Sequence, residues 1–120
     1  MAKKILIADD SLFMRKMLKD ILSDKYELVE AESGTKAEEQ FKKEKPDLVL
    51  LDIIMPEGEE EGLKVLERIK KADPKAKVVM ITAVGQDAVI EECKKHGADA
   101  HIVKPFDEKQ VIETVTKYLG

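Results

Sequence analysis

Five short apolar runs recur along the chain, and each is followed by a stretch whose apolar residues are spaced as one face of a helix. Lys4 to Ala8 (KILIA) is the first run. Residues 12–24 follow, with Phe13, Met17, Leu18, Ile21 and Leu22 at helical spacing and Ser11 placed as an N-cap. Glu27 to Ala31 is a weaker strand that carries charge, which suits a position near an edge. Residues 35–44 form a modest helix with Ala37 and Phe41 inward, ended by Pro46 and Asp47. Leu48 to Leu51 is wholly apolar, so it must be central and covered on both faces. Residues 62–72 make the third helix, with Leu63, Leu66 and Ile69 on one side and Asp73-Pro74 as its stop. Val78 to Ile81 is the fourth strand. Residues 86–96 are the fourth helix, closed by Gly97 in a left-handed cap. Ala100 to Val103 is the fifth strand. Asp107 then caps the last helix, with Gln110 three residues on as in a capping box. Its buried stripe is Val111, Ile112, Val115, Tyr118 and Leu119.

This alternation predicts an α/β fold, a doubly wound five-stranded parallel sheet with right-handed crossovers and helices on both faces. The four prolines all fall between elements. The 120 residues make one domain's worth, so a single domain over 1–120 is expected.

Composition narrows the function classes. A net charge of −4 argues against a nucleic-acid or anionic-membrane binder, since those present a basic face. Cys93 is the only cysteine, which excludes an internal disulfide and suits a reducing compartment. No apolar run approaches the roughly 20 residues needed to span a bilayer, and Met1 to Lys4 lead straight into a strand without a signal-peptide pattern. A cytoplasmic protein is expected, with no membrane and no nucleic-acid partner.

The chemistry sits where the apolar runs stop. Asp9 and Asp10, Asp52, Thr82 and Lys104 each follow a predicted strand. In an open α/β sheet the carboxyl ends of the strands line one crevice, where ligands bind. The pattern therefore predicts a pocket of three carboxylates, one hydroxyl and one amine. Two unit charges about 4 Å apart repel by roughly 4 kcal/mol at an effective dielectric near 20, so a fold holds such a cluster only if cations offset it. Mg²⁺ takes oxygen ligands and needs only one or two carboxylates beside phosphate oxygens. A carboxylate is also a known phosphoryl acceptor.

Four segments, ILIADDSLFMRKML, DLVLLDIIMP, VVMITAVG and HIVKPF, stand in order at the strand ends. With them the chain resembles the response-regulator receiver domains of two-component signalling, of the CheY-like, stand-alone chemotaxis type. The resemblance implies the flavodoxin-like strand order 2-1-3-4-5, which is the known order in CheY and rests on the resemblance alone. It implies that Asp52 accepts a phosphoryl group from a sensor histidine kinase (CheA-like). It implies that Asp10 and Asp52 ligate Mg²⁺, that Asp9 acts mainly through water, and that the backbone carbonyl of Ile54 completes the protein ligands. Lys104 would pair with the phosphoryl oxygens, its bond to Pro105 being cis in similar proteins. Thr82 and the backbone of Ala83 would hold the remaining oxygens. His101 stands at the switch position and would turn inward as Thr82 moves. The changed face of the fourth helix, fifth strand and fifth helix would then bind a downstream target, a motor switch or adaptor protein. A monomer that catalyses only its own phosphorylation and slow dephosphorylation is implied.

The chain departs from the family pattern in three places. Met55-Pro56 is followed by Glu57-Gly58-Glu59-Glu60-Glu61-Gly62, so the glycine that starts the third helix comes about two residues late. A solvated loop is the plainer reading of this acidic stretch. Ile54 and Val84 are apolar where water would be oriented for attack on the phosphoaspartate, which predicts a slow loss of phosphate. His101 replaces the usual Tyr or Phe, and its ordinary pKa near 6.5 admits pH sensitivity, although an ordinary switch role is preferred.

Three other functions remain in view: a Mg²⁺-dependent aspartyl-phosphate phosphohydrolase, a flavin or nucleotide binder, and a docking domain that has lost phosphorylation. Hydrolases of the first kind usually carry a second acid two residues after the nucleophile, where this chain has Ile54. The first turn, Asp-Asp-Ser, lacks the glycine-rich cradle of the second. A receiver domain excised from a longer regulator also fits. Cys93 and the methionines read as packing, and His96 as a surface residue near a helix C-terminus.

Overall fold

The computed structural model describes residues 2–120; Met1, part of the start read for a leader, lies outside the described residues. Strands and helices alternate as β1 (Lys4–Ala8), α1 (Leu12–Leu22), β2 (Glu27–Ala31), α2 (Gly34–Glu44), β3 (Leu48–Asp52), α3 (Glu61–Ala72), β4 (Val78–Thr82), α4 (Asp87–Lys95), β5 (Ala100–Val103) and α5 (Glu108–Leu119). The five strands form one parallel sheet in the order β2-β1-β3-β4-β5, with the charged β2 at an edge and β3 at the centre. Every residue of β3 and β4 is buried. Both strands run one residue past their apolar runs, so Asp52 and Thr82 belong to the sheet itself.

Alternating side chains give the sheet two faces. Leu6, Val49, Leu51 and Met80 pack with Ala37 of α2, Leu66 and Ile69 of α3 and Cys93 of α4. Ile5, Ile7, Leu50 and Ile81 pack with Leu18 and Leu22 of α1 and Val111 and Val115 of α5. Fully burying one such aliphatic side chain contributes roughly 1.5–3 kcal/mol, so these two layers carry the fold. Among the described residues no helix is long and apolar enough to cross a membrane.

Two residues expected in buried stripes lie outside them. Phe13 is 70% exposed. It sits five residues before Leu18, well round the helix from that core residue, whereas Met14 is four before it and packs inward. Ile112 is 38% exposed, because α5 is anchored through Val111 and Val115 and Ile112 falls at the border of their stripe. Gly97 has the expected left-handed backbone, and Lys45 adopts the same conformation (φ 49°) to end α2 ahead of Pro46. Asp107 caps α5 by accepting the Gln110 amide at 2.7 Å; no return bond from the Gln110 side chain is present among the described residues.

The acidic stretch after β3 is solvated, as expected, from residue 56 to 60, with Glu61 and Gly62 buried, but it is also organised. Met55 and Gly58 exchange both backbone hydrogen bonds, closing a tight turn that absorbs the extra residues. Glu57 then reaches the N-terminus of α2, where its carboxylate accepts from the Gly34 amide (3.0 Å), the Thr35 amide (2.9 Å) and the Thr35 hydroxyl (3.0 Å). Ser33 takes the next amide, that of Lys36. The first turn of α2 thus has its donors satisfied from two loops. Glu61 is buried against Gly34 and pairs with Arg68. Gly62 lies on the end of β3: its amide donates to the Ile53 carbonyl at 2.7 Å, and a Cβ there would stand 2.1 Å from the Asp52 carbonyl oxygen. That approach requires a glycine in the first turn of α3.

Gly62→Ala is therefore expected to destabilise the fold by about 2–3 kcal/mol in urea unfolding, since backbone must move to admit the methyl. The Thr35 amide first, and the Gly34 amide with it, hold the Glu57 carboxyl down at about 2, below its ordinary 4.5. A depressed carboxyl adds stability above its unfolded value that is lost as pH falls through its folded value. Glu57→Gln should cost roughly 0.5 kcal/mol at pH 7, a low figure because the site is solvent-screened. The difference from wild type should shrink as pH falls from 4.5 toward 2 in the same assay.

Candidate functional site

Strand register gathers the polar residues at one rim. Ala8 pairs with Leu51, so Asp9 and Asp52 come level one step on. Asp52 pairs with Ile81, which puts Thr82 just past it. Thr82 pairs with Val103, and Lys104 is the next residue. Alternation sorts them further. Asp9, Asp52 and Lys104 follow the parity of Ile7, Leu50 and Ile102, on the face covered by α1 and α5. Thr82 and His101 follow the parity of Met80, on the face covered by α4.

Lys104 joins the first group. Its Nζ lies 3.1 Å from Asp9 Oδ2 and 3.3 Å from Asp52 Oδ2. The other oxygens are held by backbone: the Ile53 amide donates to Asp52 Oδ1 at 2.8 Å, and the Ser11 amide to Asp9 Oδ1 at 2.9 Å. Arg15 steadies the turn, donating to the Asp9 carbonyl at 2.7 Å while its Nε pairs with Glu30 at 3.1 Å. Asp9 and Asp52 are buried and Asp10 is exposed. One carboxylate oxygen from each of Asp9, Asp10 and Asp52 lies within 4.8 Å of the others. Three carboxylates against one ammonium leave a net negative pocket of hard oxygen donors with an open side at Asp10, a set that fits Mg²⁺.

The electrostatics follow from this crowding. Burial first, and the charge on Asp9 second, push the Asp52 carboxyl up to about 6, against the opposing pull of Lys104. Burial alone would lower Lys104, but Asp52 and Asp9 outweigh it and hold the ammonium above its ordinary range.

Beyond this group, Thr82 is wholly buried and its hydroxyl reaches back to the Ile102 carbonyl at 3.5 Å. Ala83 is exposed, and its amide donates to the side-chain Oε1 of Gln86 at 2.6 Å. Gln86 escaped the sequence reading, because a polar residue after a glycine at a helix start is too common to mark a role. The His101 ring is exposed beside a cavity of about 190 Å³ between α4 and β5, lined in part by Met80, Ile90 and Cys93. Ile54 and Val84 are 45% and 80% exposed at the rim. The Lys104–Pro105 peptide is cis. His96 caps α4 and pairs with Glu67 at 3.3 Å, at the surface.

Known proteins resemble this chain in sequence and in fold. The response regulator receiver domain family matches residues 5–116. The chemotaxis protein CheY of Thermotoga maritima is 45% identical over 119 residues, 98% of each chain. The chemotaxis protein CheY of Bacillus subtilis is 45% identical over 122 residues, spanning both chains in full. A CheY from Borrelia burgdorferi, solved as a CheX-CheY-BeF3-Mg²⁺ complex, superposes with a TM-score of 0.88 at 34% identity, covering 96% of this chain and 87% of that one. With a family match over nearly its whole length and CheY relatives end to end, the chain belongs to the response regulator receiver domains.

Proposed function

We propose that this protein is a phosphorylation-activated switch whose phosphoacceptor is Asp52. The observation that carries the reading is Lys104, whose ammonium bridges Asp9 and Asp52 at the rim where the strands end. Asp52 has one oxygen tied to the Ile53 amide and the other facing the ammonium. A carboxylate oxygen of Asp52 attacks the phosphorus of a phosphohistidine on a sensor kinase of the CheA-like kind. The P–N bond breaks, and the imidazole nitrogen leaves with the electron pair. Lys104 then neutralises part of the charge on the new acyl phosphate. Asp10, Asp52 and the backbone carbonyl of Ile54 would hold Mg²⁺, with Asp9 acting mainly through water, and the ion would supply charge neutralisation for the phosphoryl oxygens. The CheY crystallised with BeF3 and Mg²⁺ supports this chemistry for a chain of the same fold.

The Ala83 amide and the Thr82 hydroxyl take phosphoryl oxygens, which draws Thr82 away from the Ile102 carbonyl. His101 turns into the neighbouring cavity, and the α4-β5-α5 face changes shape. A target that binds the changed face better shifts the population toward it. The chemotaxis names of the relatives that match end to end support a motor switch or adaptor protein as that target; the working form in this reading is a cytoplasmic monomer. Ile54, apolar and exposed, gives no second acid for multiple turnover, which speaks against the phosphohydrolase.

Acetyl phosphate with Mg²⁺ is expected to add one phosphoryl mass to the wild type and none to Asp52→Asn. The label should persist for minutes or longer, because neither Ile54 nor Val84 can orient water. Equal labelling of Asp52→Asn would sink the assignment. A second test uses stability. A carboxyl whose folded pKa is raised from 3.8 to about 6 binds its proton more tightly when folded, so metal-free protein should lose stability as pH rises between those values. Asp52→Asn should be more stable than wild type at pH 7 by on the order of 2 kcal/mol, and should lack that pH slope. Mg²⁺ at about 100 times its Kd should add roughly 2.7 kcal/mol to the wild type in thermal unfolding and much less to Asp52→Asn.

A further inference from the structure

The Ala83 amide, given a phosphoryl oxygen in the reading above, is already occupied. Gln86 Oε1 accepts from it at 2.6 Å, a short bond for a neutral pair. A backbone N–H carries one hydrogen, so the Gln86 oxygen and a phosphoryl oxygen are rivals for it.

The local backbone makes this contact a built feature. Gly85 sits at φ 93°, a conformation that L side chains rarely adopt, and so folds the segment back on Ala83. The Gln86 carbonyl accepts the Ile90 amide at 2.9 Å, which fixes the Gln86 backbone at the start of α4. The side chain of Gln86 does not cap its own helix; it turns toward Ala83 instead. Val84, between them, is 80% exposed and anchors nothing.

We infer that Gln86 is an internal competitor for the phosphoryl site, holding the Ala83 amide in the unmodified protein and giving it up when Asp52 is phosphorylated. The inference rests on Asp52 being the phosphoacceptor. A charged phosphoryl oxygen is the stronger acceptor, so it displaces the neutral amide oxygen, at the cost of the bond that Gln86 had made. Gln86 thereby lowers the readiness of the unmodified protein to accept the group. It also ties the pocket to the first turn of α4, because release of its side chain removes one tether from the residue that precedes that helix.

The test is a beryllofluoride titration in saturating Mg²⁺, followed by NMR at the Ala83 amide, for wild type, Gln86→Ala and Gln86→Met. Methionine keeps most of the side-chain volume and removes the acceptor. Both variants should bind beryllofluoride about fivefold more tightly, the fold-change of one ordinary hydrogen bond. In the free proteins the Ala83 amide proton should shift and exchange faster in both variants. In the bound proteins its shift should match wild type, since Gln86 has already left. Affinities within twofold of wild type, weaker binding, or an unchanged Ala83 amide in the free variants would each overturn the competition while leaving Asp52 as acceptor. Failure of the wild type itself to bind beryllofluoride would overturn both.

Discussion

One ammonium held between two buried carboxylates organises this molecule. Lys104 meets Asp9 and Asp52 across 95 and 52 residues of chain, and each partner comes from a different strand end. The balance is incomplete: Asp10 adds a third carboxylate to the cluster, and Asp52 stays reluctant to ionise even with Lys104 beside it. A pocket built this way is under electrostatic tension that a bound divalent cation would relieve. In the proposed function, the same crowding sets Asp52 beside the charge that would stabilise its modified form. The crowding costs stability at this site, as is common where like charges are gathered in one cleft.

The sheet is what makes the gathering possible. Parallel pairing sets Asp9 level with Asp52 and staggers Thr82 and Lys104 beside them. Side-chain alternation then divides labour between two faces. The charged group lies with α1 and α5, while Thr82 and His101 lie with α4 and its cavity. Thr82 is the junction, since its backbone lines the rim and its hydroxyl bonds to β5 on the other side. Gly62, pressed on the Asp52 carbonyl, fixes how closely α3 approaches the same strand end, and the Glu57 clamp on α2 secures the loop between them.

The elements most legible in the sequence were those with strong periodicity or a hard stop. Leu48 to Leu51 could only be a central strand, and Gly97 could only be a left-handed cap. The pocket residues were legible because each ended an apolar run. Reading failed where several phases fit one helix: Phe13 and Ile112 are apolar and well spaced, yet the packing of Leu18 and Val115 leaves them at the surface. In the acidic loop it was right about exposure and missed the long-range contact. Glutamates read as solvated in isolation, and nothing local to residues 57–62 announces that one of them ends 22 residues away on the amides of another helix. Gln86 was missed for the same reason, since its partner is a backbone group that has no letter in the sequence.

Local sequence therefore determined the alternation of elements, the α/β class and the identity of the acids, the hydroxyl and the lysine, because hydrophobic period and strand-end chemistry act over a few residues. Tertiary structure alone decided which of these groups touch, how far burial raises Asp52, where Glu57 is spent and what already holds the Ala83 amide. Those outcomes depend on distances between segments far apart in the chain, and such distances exist only once the sheet has closed and its register is set.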